Sequence, residues 1–392
     1  MTFEELREKD GQYVVQSYGR NPIAIDRGQG ATLYGVDGRE YIDFASGIGV
    51  LSVGTAHPKW SAAVAAQAGK LAHVSNLYYS EPYIRLAEKL CTRSGMAAAF
   101  FANSGAEGNE GVIKLARKYS FDRYGEGRGT VITLNRSFHG RTITTLAATG
   151  QDVFHKYFFP FTEGFRRADP ELDSVKAAAG DDVCAVLVEL VQGEGGVFPL
   201  DQGFVRELAK LCADRDWLLL VDEVQTGVGR TGSLFCFQQY GIMPDAVSFA
   251  KGVAGGLPMG GFLVNEKCRK VFGPGDHAST FGGNPIAAAA ACAVLDILDD
   301  GALEQVKEKG RYLRGKIEEM NLPCLGKTRG LGLMIGIEVK DGFTNKELYA
   351  RLNEAGVLCL TAGPVLRLLP PLTITKDEMD KGLAIMMAVL AE

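Results

Sequence analysis

Two apolar runs in the middle of the chain, Trp217-Leu-Leu-Leu-Val-Asp222 and Asp245-Ala-Val-Ser-Phe-Ala-Lys251, decide the expected fold. Each run is short, continuous and apolar, as is typical of strands buried on both faces of a parallel sheet. The first run ends on Asp222 and the second leads directly into Lys251. Because α/β proteins bind ligands at the carboxyl ends of their strands, we expect this carboxylate and this amine to share one edge of a sheet.

An aspartate and a lysine so placed have two interpretations. A pyridoxal phosphate enzyme needs both, since the amine forms a Schiff base and the carboxylate keeps the pyridine nitrogen protonated. The alternative is a structural ion pair at the sheet edge. The pair alone does not separate the two, so the other motifs must.

The composition is that of a globular protein without a nucleic-acid surface. The chain has 392 residues, of which 46% are hydrophobic and 23% charged, and its net charge is −5. This length is sufficient for two domains. The eight cysteines form no C-x-x-C pair, which favours reduced thiols over a disulfide framework or a zinc site.

The start of the chain predicts no targeting signal. Residues 1–10 lack the charged-then-apolar pattern of a signal peptide. No apolar stretch approaches the roughly 20 residues that span a bilayer. We therefore expect a cytoplasmic protein with no membrane partner.

Strands alternate with helices between about residues 82 and 290, which predicts an α/β fold with a mostly parallel sheet covered by helices on both faces. The expected strands are Ala98–Ala102, Gly129–Leu134, Val183–Leu190, Trp217–Val221, Ala246–Phe249 and Gly261–Val264. Helices are expected at about 59–71 and 285–298.

The C-terminal part has the pattern of a smaller α+β domain. Helices at 303–320 and 345–355 alternate with strands at 332–339 and 365–369. Near the N-terminus, Asp37-Gly38 separates two strand patterns and predicts a hairpin. We therefore expect a segment 1–55 that packs with the small domain, a large ligand-binding domain at 56–299 and a small domain at 300–392.

The segment Asn103-Ser-Gly-Ala-Glu-Gly-Asn-Glu110 follows a predicted strand and opens a helix. Ser104 and Glu107 match a capping box. The free N–H groups of such a helix start can bind a phosphate, although a plain N-cap is the simpler interpretation. Gly108 and Gly111 inside the helix each cost about 1 kcal/mol relative to alanine, and the sequence offers no reason for them.

Two further strand ends carry polar residues. In Ser137-Phe-His-Gly-Arg-Thr142 the phenylalanine can stack on a flat ring and Arg141 can bind a carboxylate, although a core Phe and a solvated Arg are equally ordinary. His139 is more typical of a structural or stacking residue than of a catalytic base. Glu189 and Glu194 lie at the end of the next predicted strand. Two acids there could form a metal site or an acid/base pair, but no His or Cys pattern supports a metal.

Taken in order, these motifs resemble the class III (ornithine-type) PLP-dependent aminotransferases. The run Leu219-Leu-Val-Asp-Glu-Val-Gln-Thr-Gly-Val-Gly-Arg-Thr-Gly232 carries the resemblance most strongly, and matching segments extend over nearly the whole chain. The resemblance implies the fold type I of PLP-dependent transferases, pyridoxal 5'-phosphate as cofactor and a homodimer. Two departures are visible: Leu190 stands where proline is usual, and Gly108 and Gly111 stand where alanine is usual.

The resemblance also implies cofactor contacts. Lys251 would form the Schiff base and move the proton during transamination, while Asp222 would pair with the pyridine nitrogen. Gln225 would bind the ring hydroxyl, and Phe138 would stack on the ring face. The phosphate would be bound by Ser104, Gly105 and Ala106. Thr280 would reach the phosphate in the neighbouring subunit, so that the two subunits share their sites.

The substrate contacts implied by the resemblance are Arg141 and Ser279 for the distal carboxylate and Arg367 for the α-carboxylate of glutamate. Within the family the sequence most resembles members that act on N-acetylornithine. The expected reaction converts this donor and 2-oxoglutarate to N-acetylglutamate 5-semialdehyde and glutamate, in arginine biosynthesis. Ornithine, succinylornithine, 4-aminobutyrate and an ω-amine of lysine biosynthesis remain alternative donors.

The two half-reactions pose an electrostatic problem at Arg367. A donor that reacts at its terminal amine brings no carboxylate to this arginine, and an unpaired buried cation costs several kcal/mol. Glu194 can supply the missing partner. We therefore expect Glu194 to act as a switch, whose loss weakens ω-amino donors and improves α-amino donors.

Two other protein classes remain to be weighed. A dinucleotide-dependent oxidoreductase needs G-x-G-x-x-G after a first strand, but Gly47-Ile-Gly49 continues with Ser52 at the position of the third glycine. A non-catalytic binding protein would have no reason to place Lys251 beside Asp222, and would be colourless when purified.

Overall fold

A computed structural model describes residues 1–391 of the chain. Its helices are α1 (Phe3–Tyr13), α2 (Ser46–Gly49), α3 (Pro58–Ala68), α4 (Glu81–Ser94), α5 (Gly105–Tyr124), α6 (Ile143–Ala148), α7 (Leu172–Ala178), α8 (Gln202–Arg215), α9 (Phe237–Tyr240), α10 (Pro285–Ile297), α11 (Asp300–Glu319), α12 (Asn345–Ala355) and α13 (Lys376–Leu390). Single 3₁₀ turns occur at Asp152–Phe154 and Lys251–Ala254.

The strands form four sheets in these residues. They are β1 (Ile25–Gln29), β2 (Thr32–Gly35), β3 (Glu40–Asp43), β4 (Ala98–Ala102), β5 (Thr130–Leu134), β6 (Phe165–Ala168), β7 (Val183–Val188), β8 (Val191–Gln192), β9 (Phe198–Pro199), β10 (Leu218–Asp222), β11 (Ala246–Phe249), β12 (Gly260–Val264), β13 (Leu325–Leu331), β14 (Met334–Val339), β15 (Val357–Leu358), β16 (Leu360–Ala362) and β17 (Val365–Leu368).

The central sheet has seven strands in the order β4-β12-β11-β10-β7-β5-β6. The strands from β11 to β6 are parallel to one another, as expected from their apolar runs. The exception is β12, which is antiparallel to both β11 and β4. A parallel connection needs a crossover of about a dozen residues or more, usually with a helix. The segment between Phe249 and Gly260 is short and contains only a 3₁₀ turn, so β12 runs antiparallel to β11.

The register of β10 and β11 brings the two key residues to one edge. Asp222, the last residue of β10, lies opposite Ser248 of β11. Lys251 follows that strand and begins the 3₁₀ turn, with a φ of 42°. The buried strand residues around them are almost entirely apolar, so the polar groups are confined to the end of the sheet.

The two ends of the chain meet in a separate sheet. The N-terminal hairpin β2–β3 pairs with β15 from the C-terminal part, in the order β1-β2-β3-β15. A further antiparallel sheet, β13-β14-β17-β16, contains Arg367. Strand β13 was not expected from the sequence. The domain boundaries at residues 55 and 299 stay predictions.

Helix α5 packs unusually close to β12, which explains its two internal glycines. A Cβ on Gly108 would lie 2.6 Å from the carbonyl oxygen of Gly261, and one on Gly111 would lie 2.4 Å from the ring of Phe262. The Phe262 ring is itself stacked on Phe100, with centroids 5.1 Å apart. Alanine at either helix position would therefore force α5 away from the sheet.

No helix within residues 1–391 is both long and apolar enough to cross a membrane. The eight cysteines are all free, and seven of them are buried. In the same residues, no three His, Cys, Asp or Glu side chains form a group that could hold a metal ion.

Candidate active site

A cavity of about 470 Å³ opens at the carboxyl edge of the central sheet. Its volume lies in the range of small-molecule sites. The cavity combines apolar walls with a few polar groups from separate segments of the chain. Among the residues that line it are Gly105, Phe138, Arg141, Asp222, Gln225 and Lys251.

Lys251 is surrounded by protein but reaches the cavity. Burial lowers the pKa of its amine, while the nearby carboxylate of Glu194 opposes this effect. Within the described residues no salt bridge joins Lys251 to Asp222, whose carboxylate pairs with His139 instead. The simple structural ion pair considered for Lys251 and Asp222 is therefore not present.

The backbone around Lys251 is clamped from a distant segment. A φ of 42° is unfavourable for a residue with a side chain, so it must be held by its surroundings. Ser52 Oγ donates to the carbonyl of Gly252 at 2.6 Å, and Trp60 Nε1 donates to the carbonyl of Ala254 at 2.9 Å. These two bonds fix the turn that begins at Lys251.

Asp222 lies in a network of buried donors. Its Oδ2 accepts from Asn109 Nδ2 at 2.7 Å and lies 2.8 Å from His139 Nδ1. Its Oδ1 accepts from the backbone N–H of Val224 at 3.0 Å. His139 also lines the cavity. Its Nδ1 contacts Asp222, and its Nε2 has no hydrogen-bond partner within residues 1–391.

The start of α5 lies at the cavity, with Ser104 as its N-cap. Ser104 Oγ accepts from the N–H of Glu107 at 3.2 Å, so that half of the expected capping box is correct. The other half is wrong, because the Glu107 carboxylate accepts from the N–H of Asn103 at 3.0 Å and not from that of Ser104. The N–H groups of Gly105 and Ala106, at the first two helical positions, remain without intrahelical partners and can bind an anion.

Phe138 and Arg141 form one wall of the cavity. Arg141 lies over the ring of Phe154, 4.2 Å from its centroid, and this ring meets Phe138 edge-on at 5.5 Å. The backbone N–H of Phe138 donates to Glu189 at 2.9 Å. Burial raises the pKa of the Glu189 carboxyl, which serves here to anchor the Phe138 loop.

Glu194, Arg367 and Gln225 form a hydrogen-bonded triangle beside the cavity. Arg367 Nη1 lies 2.7 Å from Glu194 Oε1 and 3.1 Å from Gln225 Oε1. Gln225 Nε2 donates to Glu194 Oε1 at 3.3 Å. Burial would raise the pKa of Glu194, but the charge and hydrogen bond of Arg367, together with Lys251 and Gln225, outweigh it and lower the pKa.

Ser279 and Thr280 lie outside the cavity lining. Ser279 Oγ accepts from Asn103 Nδ2 at 3.3 Å, so it borders a residue that does line the cavity. Thr280 is exposed. The cavity of the single chain therefore includes neither of these two expected contacts.

Two residues of the site were missed from the sequence, Asn109 and Ser248. Asn109 belongs to the quoted segment 103–110 and follows Gly105 by one helical turn, which places it on the helix face toward the sheet. Ser248 interrupts an otherwise apolar strand. Both signals were present, but nothing in the sequence alone joins them to Asp222.

Comparison with known proteins identifies the class to which this site belongs. The family model Aminotransferase class-III matches residues 13–390. An acetylornithine aminotransferase of Haemophilus ducreyi is 48% identical over 394 aligned residues, with 100% of both chains covered. Another, of Wolinella succinogenes, is 47% identical and covers 95% of this chain and 96% of that relative.

Solved structures agree with this assignment. The ornithine aminotransferase of Toxoplasma gondii has a TM-score of 0.94 at 31% identity, covering 100% of this chain and 95% of that one. The N-acetylornithine aminotransferase of Stenotrophomonas maltophilia has a TM-score of 0.84 at 36% identity, covering 98% of each chain. The chain belongs to the class III aminotransferases and is a PLP-dependent aminotransferase of α/β fold.

The residues of the cavity fit this cofactor. The free N–H groups at the start of α5 suit a phosphate, and the Phe138 ring suits an aromatic face. The amine of Lys251 and the carboxylate of Asp222 are suited to one covalent and one ionic contact. Each chemical part of the group has a matching protein group in one cavity.

Proposed function

We propose that this protein transfers the terminal amine of N-acetylornithine to 2-oxoglutarate, giving N-acetylglutamate 5-semialdehyde and glutamate in arginine biosynthesis. The observation that carries the proposal is the Glu194–Arg367 contact of 2.7 Å beside the cavity. It provides Arg367 with a partner when an ω-amino donor brings no carboxylate there. Relatives named acetylornithine aminotransferase, up to 48% identical over the whole chain, support the choice of donor.

Bound pyridoxal phosphate supplies a carbonyl that accepts the amino group and a ring that withdraws electrons from it. Lys251 would hold the group covalently in the resting enzyme. Its amine, once free, would act as the base that moves the proton during the transfer of the amino group. The lowered pKa of this amine favours the neutral form that such a base requires.

The remaining cofactor contacts follow from positions around the cavity. Asp222 would pair with the ring nitrogen, Phe138 would cover one ring face, and Gly105 and Ala106 would bind the phosphate with their N–H groups. Gln225 serves the ring hydroxyl from its place beside Arg367. The hydroxyl of Ser104 supports the phosphate indirectly by capping α5.

Substrate carboxylates are bound by two arginines in turn. Arg141, exposed at the cavity wall, binds the distal carboxylate of either substrate, and Ser279 assists from beside Asn103. Arg367 binds the α-carboxylate of glutamate after Glu194 has moved aside. In the other half-reaction Glu194 returns and Arg367 is neutralised within the protein.

We further propose a cytoplasmic homodimer in which Thr280 of one subunit reaches the phosphate in the other. Next to it lie side chains that leave apolar surface uncovered: Leu77 is 87% exposed, Tyr79 is 98% exposed and Phe281 is 62% exposed. Asn76 ties these segments together by donating to Ser279 and Gly282. A partner subunit seated here would cover this apolar surface and complete the site.

The test is spectroscopic. Purified enzyme mixed with N-acetylornithine is expected to lose the visible band of the bound cofactor and to regain it when 2-oxoglutarate is added. Lys251→Ala is expected to abolish turnover, whereas Lys210→Ala, an exposed lysine on α8, leaves it unchanged. If only ornithine, succinylornithine, 4-aminobutyrate or a lysine-pathway amine produces the change, the donor assignment is wrong and the family assignment stands.

A further inference from the structure

Asn109 connects helix α5 to the carboxylate of Asp222, the proposed partner of the cofactor ring. Its Nδ2 donates to Asp222 Oδ2 at 2.7 Å and to the carbonyl of His139 at 2.7 Å. Its Oδ1 accepts from Ser248 Oγ at 2.6 Å. Only 1% of Asn109 is exposed, so these bonds are shielded from water.

The partners of Asn109 allow only one orientation of its amide. The carbonyl of His139 can only accept, so the NH₂ group must point toward it and toward Asp222. Both amide protons are then used, and the amide oxygen is left for the hydroxyl of Ser248. An aspartate at this position would have no protons to donate and would face the carboxylate of Asp222.

The network leaves Asp222 with one free acceptor position. An ionised carboxylate has about four lone-pair positions, two on each oxygen. Asn109 and His139 occupy those of Oδ2, and the N–H of Val224 occupies one on Oδ1. The position that remains is on Oδ1, in a residue that lines the cavity.

We propose that Asn109 is a positioning residue that sets the direction in which Asp222 presents this last acceptor to the ring nitrogen of the cofactor. The proposal rests on the proposed role of Asp222. Ser248 has a supporting part, because its hydroxyl holds the amide of Asn109 in the orientation that donates.

The glycine-lined contact between α5 and β12 makes this arrangement possible. Gly108 and Gly111 flank Asn109 and bring the helix against Gly261 and Phe262. At this distance a side chain as short as asparagine reaches Asp222. The same helix carries the phosphate-binding N–H groups at its start, so one rigid element places both the ring partner and the phosphate partner.

The experiment compares two ligands on cofactor-free enzyme. Dissociation constants are measured for pyridoxal phosphate and for its 1-deaza analogue, in which carbon replaces the ring nitrogen. Wild type is expected to prefer pyridoxal phosphate. In Asn109→Ala this preference falls roughly tenfold, as expected for one hydrogen bond to a charged group, and in Ser248→Ala it falls by a smaller factor.

A control and the contrary outcomes separate positioning from a general structural effect. Ser104→Ala, at the phosphate end of α5, is expected to weaken both ligands equally and to leave the preference unchanged. Equal weakening of both ligands in Asn109→Ala and Ser248→Ala overturns the proposal. If Asn109→Ala does not fold, an unchanged preference in Ser248→Ala is sufficient to overturn the proposal. If wild-type enzyme shows no preference for pyridoxal phosphate, the proposed role of Asp222 is wrong.

Discussion

Glu194 and Arg367 form an ion pair of 2.7 Å in which the arginine side chain is only 3% exposed and the glutamate 25% exposed. The two residues are far apart in the chain and come from the turn between β8 and β9 and from strand β17. The pair neutralises a cation beside the cavity without any ligand. Glu194 can move away from Arg367, because its side chain is partly exposed to solvent.

Replacing Glu194 is expected to separate the two classes of amino donor. Glu194→Gln leaves Arg367 without a counter-charge, so kcat/KM for N-acetylornithine should fall at least about tenfold. The same change should raise kcat/KM for glutamate several-fold, since its α-carboxylate no longer competes with a protein carboxylate. Glu304→Gln, in an exposed pair on α11, is the control and should alter neither. Equal losses for both donors would contradict the switch.

Gly111→Ala is expected to destabilise the protein although alanine favours helices. The added methyl group would lie 2.4 Å from the Phe262 ring, and overpacking of this kind costs about 1–3 kcal/mol. Gly315→Ala, inside α11, meets nothing within 4 Å and should raise stability by up to about 1 kcal/mol. Urea denaturation of the two variants checks the opposite signs. A Gly111→Ala variant as stable as wild type would show that α5 does not need this close contact.

Asp216 is expected to contribute stability that disappears in acid. Burial would raise its pKa, but hydrogen bonds from Tyr124, Tyr119 and Lys267 outweigh this and lower the pKa to about 2. In the unfolded chain an aspartate has a pKa of about 3.9, so the contribution is complete above that pH and is lost as the pH falls toward the folded value.

The test variant is Asp216→Asn, because asparagine tolerates the φ of 48° at this position. At pH 7 we expect a loss of about 1 kcal/mol, since the group is partly exposed. Urea denaturation should show the same loss at pH 5 and a smaller one at pH 3. Asp214→Asn, in an exposed helix pair, serves as the control. If the loss of stability in Asp216→Asn is larger at pH 3 than at pH 5, the expected direction of the pH dependence is wrong.

Trp60→Phe tests the clamp on the Lys251 turn. The change keeps an aromatic side chain, although a smaller one, and removes the donor to the carbonyl of Ala254, which should lower the free energy of unfolding by about 1 kcal/mol. Affinity for pyridoxal phosphate should also fall several-fold, because the positive φ of Lys251 loses support. Trp217→Phe, the same change at the other tryptophan, should reduce stability through packing while leaving the affinity unchanged. If both variants bind pyridoxal phosphate with equal affinity, the hydrogen bond from Trp60 is not needed to hold the turn at Lys251.

Much of the central sheet could be predicted, because its strands are buried on both faces and therefore read as apolar runs. Ala98–Ala102 and Ala246–Phe249 match the expected strands residue for residue. The direction of β12 could not be predicted, since an apolar run has the same pattern in either orientation. Strand β6 was missed because it lies at the edge of the sheet and is only partly buried. Its two central residues are Arg166 and Arg167, so its sequence is neither an apolar run nor an alternating pattern.

The site was predictable where its residues end strands and unpredictable where they meet across the fold. The shared position of Lys251 and Asp222 could be predicted, because strand ends converge at one edge of the sheet. Asn109 was missed because its role depends on a contact between residues 113 positions apart, which no local pattern records. The purpose of Gly111 was hidden for the same reason, as its partner Phe262 lies on a distant strand.

The contact between Gly111 and Phe262 constrains the order in which this lineage can change its sequence. The family resemblance implies alanine at the helix position, and here the Phe262 ring already fills that space. A path from one arrangement to the other must first shorten the side chain on the strand and only then enlarge the residue on the helix. The reverse order passes through a clashing and less stable intermediate, so we expect the two positions to covary among relatives.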